Sequence, residues 1–232
     1  MPSTKSDGQL SAEPTPTVED YLALLYVFER DGQSVIATRL AEQLNVSLPT
    51  ASATVKRMVR DGWASLADKK EIHLTPDGRQ KAYSVMQRHY LIESLLRDVL
   101  DVPWSRLHAE AHAIEHTISD DTLARMQEKL HHPRTCPHGN PFPGAEKVVT
   151  HWISLIDMKS GEGGTIRRIH ELAEGNIKLM AFLEQSGLMP GARFVVSDVM
   201  AFNQTMTVMV DDARVVLGLT AAQWIYAERG GR

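Results

Sequence analysis

Only two residues, Asn45-Val46, separate two short runs of helical apolar periodicity. That gap decides much of what the first third of the chain can fold into. Helices joined so tightly must turn sharply and share a small core, which is the arrangement of a helix-turn-helix. The first run is Ile36 to Leu44, with Leu40 and Leu44 inward. The second opens at Ser47, an N-cap candidate, tolerates Pro49 in its first turn, and runs through Val55, Met58 and Val59 to Asp61-Gly62. An earlier helix starts at Val18, turns Tyr21, Leu22, Leu24, Leu25, Tyr26 and Phe28 to one face, and stops at Asp31-Gly32. After the second run, Trp63 to Leu66 and Glu71 to Leu74 alternate around the charged tip Asp68-Lys69-Lys70, as a β-hairpin does. Three helices and a charged hairpin make a winged helix-turn-helix.

Charge marks the same region. The chain carries a formal net charge of −4, which gives no support to non-specific nucleic-acid binding by the whole. Between Ala37 and Arg88, however, nine basic residues stand against five acidic ones. In a winged helix the second helix of the pair enters the major groove and its N-terminal side chains reach base edges. Here those are Ser47, Pro49, Thr50, Ser52 and Thr54, short side chains that offer hydroxyl bonds and methyl contacts. Lys56, Arg57 and Arg60 further along, with Lys69 and Lys70 on the wing, suit phosphate contacts. The reading is double-stranded DNA binding, the alternative being a winged helix used for protein contacts.

The rest is organised differently. At 232 residues the chain exceeds one small core. Residues 1–17 are rich in Ser, Pro and Thr and read as a disordered tail. Thr75-Pro76-Asp77-Gly78 breaks the pattern, and a long helix is expected from Arg79 to about Leu100. Helices follow over Trp104 to Ile118 and Asp121 to Leu130. The stretch His131 to Gly144 holds six Pro or Gly positions and reads as a loop or linker. Beyond it, strands are expected at Gly163 to Ile169, Phe194 to Val196, Thr205 to Val210 and Arg214 to Leu217. With one helix over Ile177 to Gln185, they fit a small β-barrel. The fold class is thus mostly α with small β. Its domains are 18–80, a winged helix-turn-helix; 81–145, helical; and 146–232, a barrel. A single cysteine, Cys136, points to a reducing, cytoplasmic setting, and no apolar run approaches the roughly 20 residues of a membrane span.

The helix from Leu107 carries chemistry. Positions three and four apart share a helical face, so His108, His112, Glu115 and His116 are expected to project together, with Glu110 pointing away. His89 and Glu93 form their own i, i+4 pair on the preceding long helix. Imidazole with carboxylate suits Mn, Fe, Co, Ni and Zn. The eight steps from His108 to His116 span about 12 Å of helix axis, at about 1.5 Å per residue, too far for one coordination shell. The economical division is two sites: His112, Glu115 and His116 in one, and His108 with His89 and Glu93 in the other. Cys136 and His138 are left out, because Pro and Gly around them promise no fixed geometry. A metalloenzyme is the rival reading. It would need an open coordination position and a general base, and no HExxH arrangement occurs.

The residues resemble the diphtheria-toxin-repressor family of metal-dependent transcriptional regulators, from about Val18 to the C-terminus. The resemblance rests on Ser47-Leu48-Pro49-Thr50, Leu74-Thr75-Pro76-Asp77-Gly78, His89-x-x-x-Glu93 and His108-x-Glu110-x-His112-x-x-Glu115-His116. Gly139-Asn140-Pro141-Phe142-Pro143-Gly144 and Gly187-Leu188-Met189-Pro190-Gly191 complete it. It implies a homodimer that pairs through the second domain, a C-terminal SH3-like (FeoA-like) barrel, no enzymatic activity, and two metal sites per subunit. Asp20 with His112, Glu115 and His116 would be the activating site. His89, Glu93 and His108 would be the ancillary site, finished from the C-terminal domain by Glu174 or Glu171. Iron-type members have a methionine where this chain has Asp20 and a cysteine where it has His112. Manganese-type members usually carry carboxylates where it has Ala23 and His112. Asp20 therefore favours Mn(II), with Fe(II), Co(II) or Zn(II) as alternatives, and the function implied is control of manganese or iron homeostasis genes at a DNA operator.

Overall fold

A computed structural model describes residues 13–230 and divides the chain into two compact units, one ending at Val85 and the other beginning at Met86. Most of the tail expected over 1–17 lies outside the described residues. Its last two members, Pro16 and Thr17, are already helical, because Pro16 takes the first helical position, where a proline's missing N–H costs nothing.

In the N-terminal unit, α1 (Pro16–Arg30) is followed by α2 (Ala37–Gln43) and α3 (Leu48–Arg60). Ser47 caps α3 by accepting the Thr50 N–H at 3.3 Å. A two-stranded hairpin, β1 (Ala64–Leu66) and β2 (Ile72–Leu74), forms the wing. At its tip Lys69 and Lys70 both take positive φ. Leu22, Leu25, Phe28, Leu40, Ala51 and Met58 are buried between the helices. Each large apolar side chain of this kind contributes about 1.5–3 kcal/mol.

The next helix, α4 (Pro76–Asp98), starts three residues before the expected Arg79. The apparent breaker Thr75-Pro76-Asp77-Gly78 is its cap: Thr75 Oγ1 accepts the Gly78 N–H at 3.0 Å, and Pro76 sits in the first turn. Gly78 is required there, since a Cβ would lie 1.8 Å from the Trp63 carbonyl oxygen.

The C-terminal unit contains α5 (Leu107–Ile114) and α6 (Asp120–Lys129), then a barrel. The barrel's strands are β3 (Ile153–Ser154), β4 (Gly163–Ile169), β5 (Arg193–Met200), β6 (Thr205–Val210), β7 (Ala213–Gly218) and β8 (Ile225–Arg229). They pair antiparallel in the order β3-β8-β4-β5-β6-β7. The short helices α7 (Glu171–Glu174), α8 (Ile177–Gln185) and α9 (Leu219–Ala222) fill the connections. One core joins barrel residues such as Ile166, Ile169, Val196, Val208 and Ile225 to Ile92, Leu107 and Ala111 of the helices. The register shift between Ile166 and Arg168 of β4 is a bulge, and both Arg168 and Ile169 turn inward after it.

Two expectations need correction. The single helix expected over Trp104 to Ile118 is three pieces: a 3-10 turn over Trp104–Arg106, α5, and a second 3-10 turn over Glu115–Thr117. Ile114 leaves helical geometry at φ −120°, ψ −15°, so Glu115 and His116 do not continue the face of His108 and His112. The stretch 131–144 is also no slack linker. Cys136 N–H donates to the Asn140 carbonyl at 2.8 Å and Gly139 N–H to the Cys136 carbonyl at 2.9 Å, and residues Cys136 to Phe142 are buried. Gly139 makes this possible, with φ +87° and its Cα packed so closely on β4 that a Cβ would lie 1.9 Å from the Arg167 carbonyl oxygen.

Candidate metal centre

Four side chains from three segments of the C-terminal unit converge on one buried point. His89 and Glu93 are one turn apart on α4, so both face α5; His108 comes from the first turn of α5; Glu174 ends α7 in the barrel connection. One ligand atom from each lies within 4.8 Å of all the others. His89 Nε2 is 3.1 Å from Glu93 Oε1 and 3.0 Å from His108 Nδ1, and His108 Nδ1 is 3.1 Å from Glu174 Oε2. With metal–ligand bonds of about 2.1 Å, neighbouring octahedral ligands stand ~3 Å apart and opposite ones ~4.2 Å. An ion would close this group by drawing it in by a few tenths of an ångström.

The donors fit such an ion because their polar atoms are left over. Glu93 and Glu174 are fully buried, yet Glu93 Oε2 and Glu174 Oε2 have no hydrogen-bond partner. A buried carboxylate oxygen without a donor costs about 1–3 kcal/mol, so the arrangement suits a cation better than empty space. Glu171, the other candidate from this helix, is engaged elsewhere. It accepts from Tyr90 Oη at 2.5 Å and from Arg168 at 3.0 Å.

A third donor set overlaps the first. His138 Nδ1 lies 3.2 Å from Glu93 Oε1 and 3.4 Å from Glu174 Oε1, and Glu93, Cys136 and His138 also form a group within ligand reach. Neither Cys136 nor His138 is among the ligands expected from sequence. The signal that could have recovered them is Gly139, whose tight turn gives both neighbours a fixed place. Burial lowers the tendency of His138 to hold a proton, but the Glu93 and Glu174 carboxylates outweigh it and lift its pKa to about 9. Burial, then the same carboxylates, pushes the Cys136 thiol well above its usual range. Burial opposes the charge on Glu93, yet His138 and His89 hold its pKa well below the carboxylate norm.

The second cluster is nearer the surface. His112 is more than half exposed, whereas Glu115 is almost completely buried. The turn after Ile114 sends Glu115 inward, where it accepts from two imidazoles: His112 Nδ1 at 2.8 Å and His89 Nδ1 at 2.7 Å. His116 Nε2 stands 3.5 Å from the same carboxylate. Burial raises the pKa of Glu115, but hydrogen bonds from His112 and His89 bring it down to about 2. Glu115 therefore touches both histidine groups that the sequence reading had divided. Asp20 lies on α1 of the N-terminal unit.

On that unit the expected DNA-contacting residues form an open surface. Ser47, Pro49, Thr50, Lys56, Arg60, Lys69 and Lys70 are exposed, and Ser52, Thr54 and Arg57 are half-buried. Arg60 is held by Asp61 at 2.7 Å and Arg57 by Thr15 at 3.1 Å. Lys56 and the two wing lysines are thus less encumbered than the two arginines.

Comparison with known proteins covers nearly the whole described chain. Residues 13–72 match the model for the iron-dependent repressor N-terminal DNA-binding domain. Residues 75–144 match its metal-binding and dimerisation domain, and residues 153–229 the FeoA domain. The iron-dependent repressor IdeR of Mycobacterium tuberculosis is 36% identical over 195 residues, 79% of this chain and 85% of that protein. The diphtheria toxin repressor of Corynebacterium efficiens is 31% identical over 210 residues, 84% and 91% of the two chains. Among solved structures, a manganese-dependent transcriptional repressor in complex with manganese superposes with a TM-score of 0.82 at 30% identity, over 92% of this chain and all of the other. ScaR with bound Zn2+ superposes with a TM-score of 0.77 at 28% identity, over 94% of this chain and all of the other.

Proposed function

The chain belongs to the iron-dependent repressor family, and from that premise we propose that manganese(II) is the ion that switches it onto DNA. As a family member it is a metal-dependent DNA-binding transcriptional repressor and not an enzyme. No described helix is long and apolar enough to cross a membrane.

The observation that carries the choice of metal is that Glu93 Oε2 and Glu174 Oε2 lie without a hydrogen bond among the imidazoles of His89, His108 and His138, with Glu174 Oε2 in ion-pair reach of His108. Manganese(II) stands at the weak end of the Irving–Williams order and needs concentrated carboxylate charge to be held at all. Burial and the two glutamates push the Cys136 thiol well above its usual range, which makes it a poorer donor than the carboxylates beside it.

In this reading His89, Glu93, His108 and Glu174 hold an ancillary ion. His112, Glu115 and His116 hold the activating one, with Asp20 as the fourth ligand by the family resemblance. A bound ion supplies a multivalent positive charge that carboxylates from separate segments can share. By that resemblance the activating ligands would come from two units of the chain, since Asp20 belongs to the helix-turn-helix unit. Ion binding shifts DNA affinity only if the DNA-competent arrangement holds the ion more tightly than the alternative. Two copies joined through the dimerisation domain would present two α3 helices to successive major grooves, about 34 Å apart. Genes for manganese or iron homeostasis, in a cytoplasmic setting, are the expected targets.

The second reading, an iron-responsive member, is favoured by Cys136 beside Glu93 and His138, a softer donor set. The two are separated by measuring affinity for DNA fragments enriched by the metal-loaded protein, at matched free Mn(II), Fe(II), Co(II) and Zn(II). Mn(II) is expected to raise affinity at least tenfold and to be reversed by chelator. An affinity indifferent to all four ions overturns metal control. A response to Fe(II) with none to Mn(II) selects the second reading.

A further inference from the structure

We propose that Asn140 and Arg168 are positioning residues for the buried ion, acting together to hold Glu174 with one oxygen engaged and the other aimed into the cluster. The proposal rests on the reading of His89, Glu93, His108 and Glu174 as a metal site, and it concerns neither a ligand nor a DNA contact.

The argument begins with Arg168. It is buried, with 1% exposure, because the bulge in β4 turns it inward, and its guanidinium lies 5.1 Å from the Tyr226 ring centre. Its Nε donates to Asn140 Oδ1 at 2.5 Å and its Nη2 to Glu171 at 3.0 Å. Arginine can only donate. The atom of Asn140 that faces it must therefore be the oxygen, and the amide cannot flip without setting two donors against each other.

With that orientation imposed, both amide donors of Asn140 are committed. Nδ2 donates to the Ile169 carbonyl at 2.8 Å and to Glu174 Oε1 at 2.6 Å. Glu174 Oε1 is thereby anchored, while Oε2 has no hydrogen-bond partner and stands 3.1 Å from His108 Nδ1. Without the Asn140 donor, the nearest competing attraction for Oε1 is His138 Nδ1, 3.4 Å away. The same turn is stitched to β4 by Ile169 N–H donating to the His138 carbonyl at 2.8 Å. A residue of the 136–142 turn and a residue of the barrel thus set the aim of a carboxylate that neither would touch through metal. Partners of this kind change metal affinity by about 10–100-fold when removed.

The test is a Mn(II) titration of the full chain followed by the free-ion EPR signal, with the ancillary step identified by its loss in Glu93→Gln. Asn140→Ala is expected to weaken that step 10–100-fold. In a Glu174→Ala background, which already lacks the carboxylate, Asn140→Ala is expected to change it by less than twofold. Arg168→Met is expected to weaken the step about tenfold. Arg168→Lys, which still only donates, is expected to stay within threefold of the parent. If Asn140→Ala fails to fold, as judged by its metal-free thermal melt, the Arg168 pair answers the same question. Unchanged affinity in both Asn140→Ala and Arg168→Met overturns the proposal. So does an equal loss from Asn140→Ala with and without Glu174. A parent with no Mn(II) step sensitive to Glu93→Gln overturns instead the metal-site reading beneath it.

Discussion

The two histidine clusters of the C-terminal unit are built on opposite plans. The outer one takes His112, Glu115 and His116 from five consecutive residues, and its first histidine is more than half exposed. The inner one takes His89, Glu93, His108 and Glu174 from α4, α5 and α7, and its two carboxylates are fully buried. Local clusters are cheap to form and easy for solvent and ions to reach. A cluster assembled from distant segments exists only once the core has formed, and its charges act in a lower dielectric, where each missing partner counts for more.

The sharpest way to break this contrast is Glu93→Ala. It removes the carboxylate that faces both His89 and His138. Ancillary-site metal binding should be lost outright. The metal-free fold should also weaken by about 3 kcal/mol, the lower end of the cost of breaking a buried ion pair, because the histidines can shed their protons. Urea denaturation with and without Mn(II) checks both, and a variant as stable as the parent would falsify the structural half.

His112→Ala should be the converse. Its exposure predicts a loss of metal-free stability of only about 1 kcal/mol, that of one hydrogen bond to Glu115. Metal-stimulated DNA affinity should nevertheless fall at least tenfold in an anisotropy titration. If the ancillary Mn(II) step also weakens, the two clusters are not separable, and the Glu115 carboxylate shared between His112 and His89 is the coupling.

Acid and base should separate the clusters in the metal-free protein. Glu115 has its pKa lowered from 4.5 to about 2, so its contribution to stability is complete above about pH 4.5 and is lost as the pH falls toward 2. His138 has its pKa raised from 6.5 to about 9, so its contribution is complete below about pH 6.5 and is lost as the pH rises through 9. Stability from these two groups is therefore greatest between about pH 4.5 and 6.5. Glu115→Gln should flatten the acid limb and His138→Gln the alkaline one, each read from denaturation midpoints across the range. A variant that flattens the opposite limb would reverse the assignment.

The smallest effect belongs to a charge outside both clusters. Lys69→Ala should weaken DNA binding alike for all sequences and reduce the salt slope by about 1, while leaving both Mn(II) steps unmoved. A change in either Mn(II) step would mean that the wing is read by the metal sites.

Legibility followed the same division. The helix-turn-helix was readable because caps and apolar spacing are local: Ser47 caps α3 where expected, and the Asn45-Val46 turn lies between α2 and α3. The start of α4 was misjudged because Thr75-Pro76-Asp77-Gly78 looks like a break and works as a cap. His112, Glu115 and His116 were singled out from spacing, but their common helical face was not what forms. The turn at Ile114 is decided by where Glu115 finds its partners. Cys136 and His138 were dismissed for their proline and glycine neighbours, the residues that let the turn lie flat on β4.

By itself, then, the sequence determined the helix-turn-helix, four of the six barrel strands, the basic wing and the presence of more His and Glu ligands than one ion can use, but not β3, β8, α7 or α9. What it determined follows from periodicity, charge and composition within a few residues. Only the tertiary structure decided that Glu93 is common to two donor sets, that Glu115 reaches across to His89, and that Asn140 holds Glu174. Those contacts join residues 26 to 45 positions apart, or pair side chains whose partners are chosen by burial rather than by spacing. The physical reason is that a buried carboxylate must take whatever donor the packed core brings to it.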